Sequence, residues 1–183
     1  MRTAYIGMGA NLPSSAGSPE ATIATALGRL ARIGRIVARS SLYSTEPVGY
    51  ADQPKFVNAV VAVETGASPR EILDALMRIE KEFGRDRANA IPNGPRTLDL
   101  DVLLFGDCII DEPGLRVPHP RLAERAFVLV PLNEIAPEAT DPHSGATVAE
   151  LLQRLPSGSA ADAVMKFESN AWDAAAKRSH AGK

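Results

Sequence analysis

With a single cysteine among 183 residues, Cys108, the chain cannot close an internal disulfide, and it has no cysteine and histidine cluster at zinc spacing. No apolar run approaches the length needed to span a membrane. Aromatic residues are scarce at 5%, and 20 Lys and Arg against 22 Asp and Glu leave a net charge of −2. That composition offers neither the exposed aromatic pairs nor the basic face expected of an RNA-binding module, so no nucleic-acid partner is expected and any phosphate site must be local. A Gly-x-x-x-x-Gly-Lys-Ser/Thr loop is missing, and Gly7-Met8-Gly9 is too short for a dinucleotide fingerprint. A bound nucleotide would therefore be held by arginines and metals. The segment Met1 to Gly7 enters a strand-like run with no signal-peptide pattern, which points to a soluble cytoplasmic protein. What the chain does have is 45% hydrophobic content, enough for one domain with a full core.

Thr3 to Met8 reads as a first strand ended by Gly9 and Asn11. Ser18-Pro19-Glu20 supplies an N-cap, a proline at the first helical position and an early acid, and Ile23, Leu27, Leu30 and Ile33 follow near helical spacing. Ile36 to Tyr43 and Phe56 to Glu64 are strand-like and flank a loop from Ser44 to Lys55, so they are expected to pair antiparallel. Ser68-Pro69-Arg70-Glu71 is a capping box opening a second helix, with Ile72, Leu76, Ile79 and Phe83 on its apolar stripe and Gly84 at its end. After a polar loop from Arg85 to Pro95 comes one more strand. The order strand, helix, strand, strand, helix, strand predicts an α+β fold of ferredoxin-like type: a split βαββαβ antiparallel sheet, helices on one face and the other free for ligands. Pro120 to Glu134 and Thr147 to Leu155 add C-terminal helices, the latter through a second capping box, Thr147 to Glu150. Residues 1–160 are expected to form one domain and 161–183 a weakly ordered or loosely docked tail.

The last strand of that pattern carries the chemistry. In Gly94-Pro95-Arg96-Thr97-Leu98-Asp99-Leu100-Asp101-Val102, alternation puts Asp99 and Asp101 on one face, opposite Leu98, Leu100 and Val102. Two carboxylates roughly 6 to 7 Å apart along a strand repel unless a cation neutralises them, and hard oxygen ligands suit Mg²⁺. Alone, the pair reads as the solvated face of an edge strand; its neighbours argue for more. Arg85 and Arg87 lie just after the second helix, Arg96 close before the aspartates, and all three could meet phosphate. His119 is fixed between Pro118 and Pro120, with Arg125 following. Phe56 and Asn58 alternate on their strand, so a ring and an amide face one way, as needed to stack a flat heterocycle and read its edge.

Taken together, Tyr5-Ile6-Gly7-Met8-Gly9-Ala10-Asn11-Leu12, Tyr43-Ser44-Thr45-Glu46-Pro47, Asp52-Gln53-Pro54-Lys55-Phe56-Val57-Asn58, Gly94-Pro95-Arg96-Thr97-Leu98-Asp99-Leu100-Asp101 and Val117-Pro118-His119-Pro120-Arg121 closely resemble the 6-hydroxymethyl-7,8-dihydropterin pyrophosphokinases of folate synthesis, from about Thr3 to Pro137. The resemblance implies that ATP donates its β,γ-pyrophosphoryl unit to the pterin hydroxymethyl group, releasing AMP, with two Mg²⁺ on Asp99 and Asp101. It implies a pterin between Phe56 and Phe127, read by Asn58 and by the loop with Thr45, Glu46 and Val48. It implies nucleotide contacts from Glu80, Arg85, Arg87, Arg96, Val102, His119 and Arg125, with Arg85 and Arg87 also serving catalysis. Loops at Gly9 to Pro19, Ser44 to Pro54 and Asp86 to Asn93 would move on ATP binding, and the working form would be a monomer. The chain departs from the family pattern at Asn93 and Pro120, where some members carry Trp and an aromatic residue, and at Ala10, where Ser is common. Two competing readings are a metal-dependent phosphohydrolase using the same carboxylates and a ferredoxin-like binding module.

Overall fold

The computed structural model describes residues 1–49, 52–87, 91–156 and 163–180, the last five as backbone. Residues 50, 51 and 88–90, which fall in two of the loops expected to move, lie outside the described residues. Strand β1 (Arg2–Ala10) is followed by helix α1 (Pro19–Leu30), strands β2 (Arg35–Arg39), β3 (Leu42–Thr45) and β4 (Phe56–Thr65), helix α2 (Pro69–Glu82) and strand β5 (Asp99–Phe105). The main sheet runs β5-β1-β4-β3, all antiparallel, with β2 also on β4, which is the expected split βαββαβ order. Both helices begin where their caps predict: the Ser18 hydroxyl accepts the Ala21 N–H, and Ser68 and Glu71 complete a reciprocal capping box. Ala4, Ile6, Met8 and Ala10 of β1 face these helices and join Ile23, Leu27, Ile72, Leu76 and Leu100 in the larger core cluster. Gly7 and Gly9 face the other way.

Three features differ from the sequence reading. The expected strand from Ile36 to Tyr43 is broken into β2 and β3 at Ser40 and Ser41. There Ser40 bonds Val60 twice, by its N–H to the carbonyl at 2.8 Å and by its hydroxyl, which accepts the Val60 N–H at 2.9 Å. The second face of the sheet is only partly free. Helices α3 (Ala126–Ile135) and α4 (Val148–Gln153) cover it through a second core cluster that includes Val60, Leu103, Leu129 and Leu132. Between β5 and α3 lie a small hairpin, β6 (Ile110–Glu112) with β7 (Leu115–Val117), and a 3-10 turn at Leu122–Glu124.

The third difference corrects the expected loose tail. Its described part, residues 163–180, forms strand β8 (Met165–Phe167), paired with β3, and helix α5 (Asn170–His180), laid against α1. Trp172 is 3% exposed and donates its indole N–H to the Ser40 carbonyl at 2.9 Å, while the Arg39 guanidinium lies over its ring at 4.9 Å. One large aromatic outweighed the Ser- and Ala-rich composition around it, because burying such a ring contributes more than several small residues withhold.

Candidate active site

Cross-strand register puts Asp99 beside Gly9 and Asp101 beside Gly7, so the aspartates stand on a sheet surface whose neighbouring positions carry no side chains. At Gly9 the surface is also close-fitting: an added Cβ would meet the Asn58 side-chain oxygen at 3.1 Å, a tight contact that would press on the amide. A bulge in β5 inserts Leu103 against the bend between Tyr5 and Ile6, and the Leu103 carbonyl accepts the His119 N–H at 2.9 Å. That bond seats His119, which follows a cis Val117–Pro118 bond, next to the aspartates.

Arginines surround the carboxylates. Arg96 pairs with Asp99 at 2.6 Å and Arg85 approaches its other oxygen at 3.6 Å; Arg125 and His119 each stand 3.9 Å from Asp101. The Nε atoms of Arg85 and Arg125 are buried and have no hydrogen-bond partner, so cationic donors are held in the protein short of acceptors. Burial, reinforced by Asp99 and only partly offset by Arg125, Arg87 and Arg96, pushes the Asp101 carboxyl up to about 6. A carboxylate under that pressure gains from a cation placed beside it. His119 is pushed down to about 4, by burial first and then by Arg125 and Arg121, and is neutral at neutral pH. Since its Nδ1 accepts the Arg121 N–H at 3.1 Å, the ring proton sits on Nε2, which faces Asp101 as a donor.

Two clefts meet at Asp101. The first gathers all six residues expected around the heterocycle, namely Thr45, Glu46, Val48, Phe56, Asn58 and Phe127, and reaches Asp99, Asp101, Arg96 and Arg125. Asn58 donates its amide to the Thr45 hydroxyl at 2.8 Å, and both residues are 6% exposed. The guanidinium of Arg96 lies over the Phe56 ring at 5.3 Å and that of Arg125 over Phe127 at 5.5 Å. The second cleft joins Arg87, Val102 and His119 to Asp101, under the β6 and β7 hairpin.

Arg85 and Glu80 line neither of these clefts. Arg85 stands behind Asp99, whereas Glu80 is 1% exposed and takes both Arg87, at 2.7 and 2.8 Å, and the Leu100 N–H at 2.8 Å. Burial raises the Glu80 pKa even against these three donors. It thereby fixes Arg87 and β5 relative to each other. Sequence reasoning missed the hairpin pair Asp111 and Arg116 of the second cleft, and Arg121 in the first. It had no signal for the hairpin, whose strands are three residues each. Asn93 lines the first cleft with φ 55, a left-handed conformation that Asn tolerates better than bulky residues, and Pro120 lines the second.

Residues 5–137 match the family described as 7,8-dihydro-6-hydroxymethylpterin-pyrophosphokinase (HPPK). A protein of Pseudomonas aeruginosa named 2-amino-4-hydroxy-6-hydroxymethyldihydropteridine pyrophosphokinase is 46% identical over 154 residues, 83% of this chain and 91% of that one. A Haemophilus influenzae protein of the same name is 44% identical over 146 residues, 79% of this chain and 88% of that one. Schizosaccharomyces pombe "Folic acid synthesis protein fol1" is 40% identical over 85% of this chain, which spans only 21% of that longer protein. Among solved structures, wild-type Plasmodium falciparum HPPK-DHPS has a TM-score of 0.64 at 17% identity, over 84% of this chain and 44% of that one, a likeness of fold alone. With a family match from residue 5 to residue 137 and near-full-length relatives above 40% identity, the chain belongs to the 7,8-dihydro-6-hydroxymethylpterin-pyrophosphokinase family.

Proposed function

We infer that this chain transfers the β,γ-pyrophosphoryl group of ATP to the hydroxymethyl oxygen of 6-hydroxymethyl-7,8-dihydropterin, releasing AMP, as a step of folate synthesis. The observation that carries this reading is Asp101 lining both clefts: a group leaving one and entering the other passes the two carboxylates. The pterin stacks between Phe56 and Phe127, with Asn58 and Thr45 on its edge and Glu46 and Val48 at the rim. The nucleotide lies in the second cleft against Val102, its phosphates meeting Arg87, His119 Nε2 and, at the junction, Arg85, Arg96 and Arg125.

Among the described residues no group of three or more His, Cys, Asp and Glu side chains converges as a metal cage. Two carboxylates on one strand face instead fit Mg²⁺ ions that take their remaining oxygens from water and from the phosphates of the substrate. We assign two such ions to Asp99 and Asp101; when bound they supply charge neutralisation at the transferring group. The chain's own residues position the two substrates, exclude water from the junction and offer fixed positive charge, and no nucleophilic side chain is required. The reading takes the working form as a cytoplasmic monomer on two small molecules; among the described residues no helix is long and apolar enough to cross a membrane.

Product analysis with ATP, Mg²⁺ and the pterin alcohol tests it. Stoichiometric AMP and pterin diphosphate, each dependent on the pterin, are expected. ADP as the product, or ATP turnover without pterin, would replace the transferase with a phosphohydrolase.

A further inference from the structure

Of the two rings that wall the first cleft, Phe56 belongs to β4 and Phe127 to α3, so the width of the slot depends on how that helix is seated on the sheet. Val128, Leu129 and Leu132 bury its apolar side, but such contacts are non-directional and leave a helix free to slide or roll. Pro131 adds to that freedom. It has no N–H to give the Phe127 carbonyl four residues back, so the turn bearing the ring lacks that helical bond. A directional contact is needed to fix the seat, and Glu134 supplies it.

Glu134 follows Phe127 on the same face of α3, two turns or about 10 Å further along the axis, and lines neither cleft. One of its carboxylate oxygens accepts the Ser41 N–H at 2.8 Å and the Tyr43 hydroxyl at 2.9 Å; the other accepts the Ser41 hydroxyl at 2.7 Å and the Lys166 ammonium at 3.1 Å. Ser41 lies at the break between β2 and β3, outside either strand, which leaves its N–H for the helix. Tyr43 stands opposite Asn58 in the register of β3 with β4, and Thr45, which accepts the Asn58 amide, comes two residues later on the same face. The carboxylate thus pins the helix carrying one wall of the slot to the strand carrying part of its polar edge. We propose that Glu134 is a positioning residue for the flat substrate: by binding Ser41 and Tyr43 it fixes α3 on β3, and so sets where Phe127 stands against Phe56 and against the Thr45 and Asn58 pair. The proposal rests on the assignment of the first cleft to the pterin. It gives Glu134 no contact with either substrate.

The test separates seating from mere stability. On the full chain, titration calorimetry gives the dissociation constant of a non-hydrolysable ATP analogue with Mg²⁺, and then that of the pterin alcohol on the analogue-loaded protein. Glu134→Ala should bind the pterin about three- to tenfold more weakly, the share of a stacking contact that misplacing one ring forfeits, and the analogue within about twofold of the parent. Glu134→Gln keeps the shape: its oxygen can accept from Ser41 and Tyr43 and its amide can donate to the Ser41 hydroxyl, so its pterin affinity should stay within about twofold of the parent. Should Glu134→Ala fail to fold, Glu134→Asp decides, because a side chain one methylene shorter cannot reach Ser41 and Tyr43 together, and a severalfold loss confined to the pterin is expected. A parent-like pterin affinity in the folded Ala or Asp variant overturns the proposal. So does an equal loss for both ligands, or a loss in Glu134→Gln as large as in Glu134→Ala. A parent chain that does not bind the pterin overturns the functional reading, and the proposal with it.

Discussion

The two clefts on either side of Asp101 solve different problems. In the first, the groups on the heterocycle side are already engaged: Asn58 holds Thr45, the floor is glycine, and each phenylalanine ring is faced by a guanidinium. Its shape comes from the sheet itself, since Phe56 and Asn58 lie on β4 and Gly7 and Gly9 on β1. Beside Asp99 and Asp101 stand cations with unmet donors, Arg85 outside both clefts and Arg125 in the wall of the first, and the second cleft holds an Arg87 side chain that is 49% exposed. A rigid flat heterocycle is best recognised by a preformed slot, whereas a flexible polyphosphate is best met by donors that pay no reorganisation when charge arrives.

The aspartates test that division most severely, because Asp101 lines both clefts and Asp99 stands beside it on β5. Asp99→Asn and Asp101→Asn should each lower turnover by at least about a hundredfold, the scale for losing charge stabilisation at a transferring group, while circular dichroism and melting temperature stay near the parent. Near-normal activity at ordinary Mg²⁺ would remove the carboxylates from the chemistry.

The arginines come next. Arg85→Ala and Arg87→Ala should lower the single-turnover rate roughly tenfold to a hundredfold with only a modest change in equilibrium ATP binding. The two should differ in stability: Arg87→Ala strips a buried Glu80 of its bidentate partner and lowers the melting temperature, whereas Arg85 makes only the looser 3.6 Å contact with Asp99. Lost ATP affinity with an intact chemical step would make both a static phosphate site.

On the other side of the division, Phe56→Ala should weaken pterin binding by about 1 to 3 kcal/mol and leave ATP binding unchanged, and Asn58→Ala should act in the same direction. Equal losses for both ligands in separate calorimetric titrations would erase the distinction between the clefts.

The smallest effect lies away from both. Burial pushes the Glu134 carboxyl up, but hydrogen bonds from Ser41, Lys166 and Tyr43 outweigh it and hold the group below its usual value. A depressed folded pKa contributes stability above the unfolded value near 4.3 that is lost as pH falls through the folded one. Glu134→Gln should therefore cost about 1 kcal/mol at pH 7, and the gap between the two melting curves should close below about pH 4. A gap independent of pH would mean the carboxylate is not the stabilising form.

The aspartate strand, both capping boxes and the face shared by Phe56 and Asn58 were legible in the sequence because each is set by spacing within a few residues. The break at Ser40, the seating of Trp172 and the bonds made by Glu80 were not. Each depends on partners 20 to 132 residues away, such as Leu100 for Glu80 and Ser40 for Trp172, which no local pattern announces. The same limit applies to the bonds by which Glu80 holds Arg87 and the Leu100 N–H.

The central claim is the proposal that Asp99 and Asp101 hold metal ions where the two clefts meet at Asp101. Manganese in place of magnesium, counted by electron paramagnetic resonance in the presence of the pterin and a non-hydrolysable ATP analogue, tests it most directly. The account predicts two ions per parent chain and at least one fewer in Asp101→Asn, with both organic ligands still bound. Two ions held as tightly by Asp101→Asn as by the parent would contradict it.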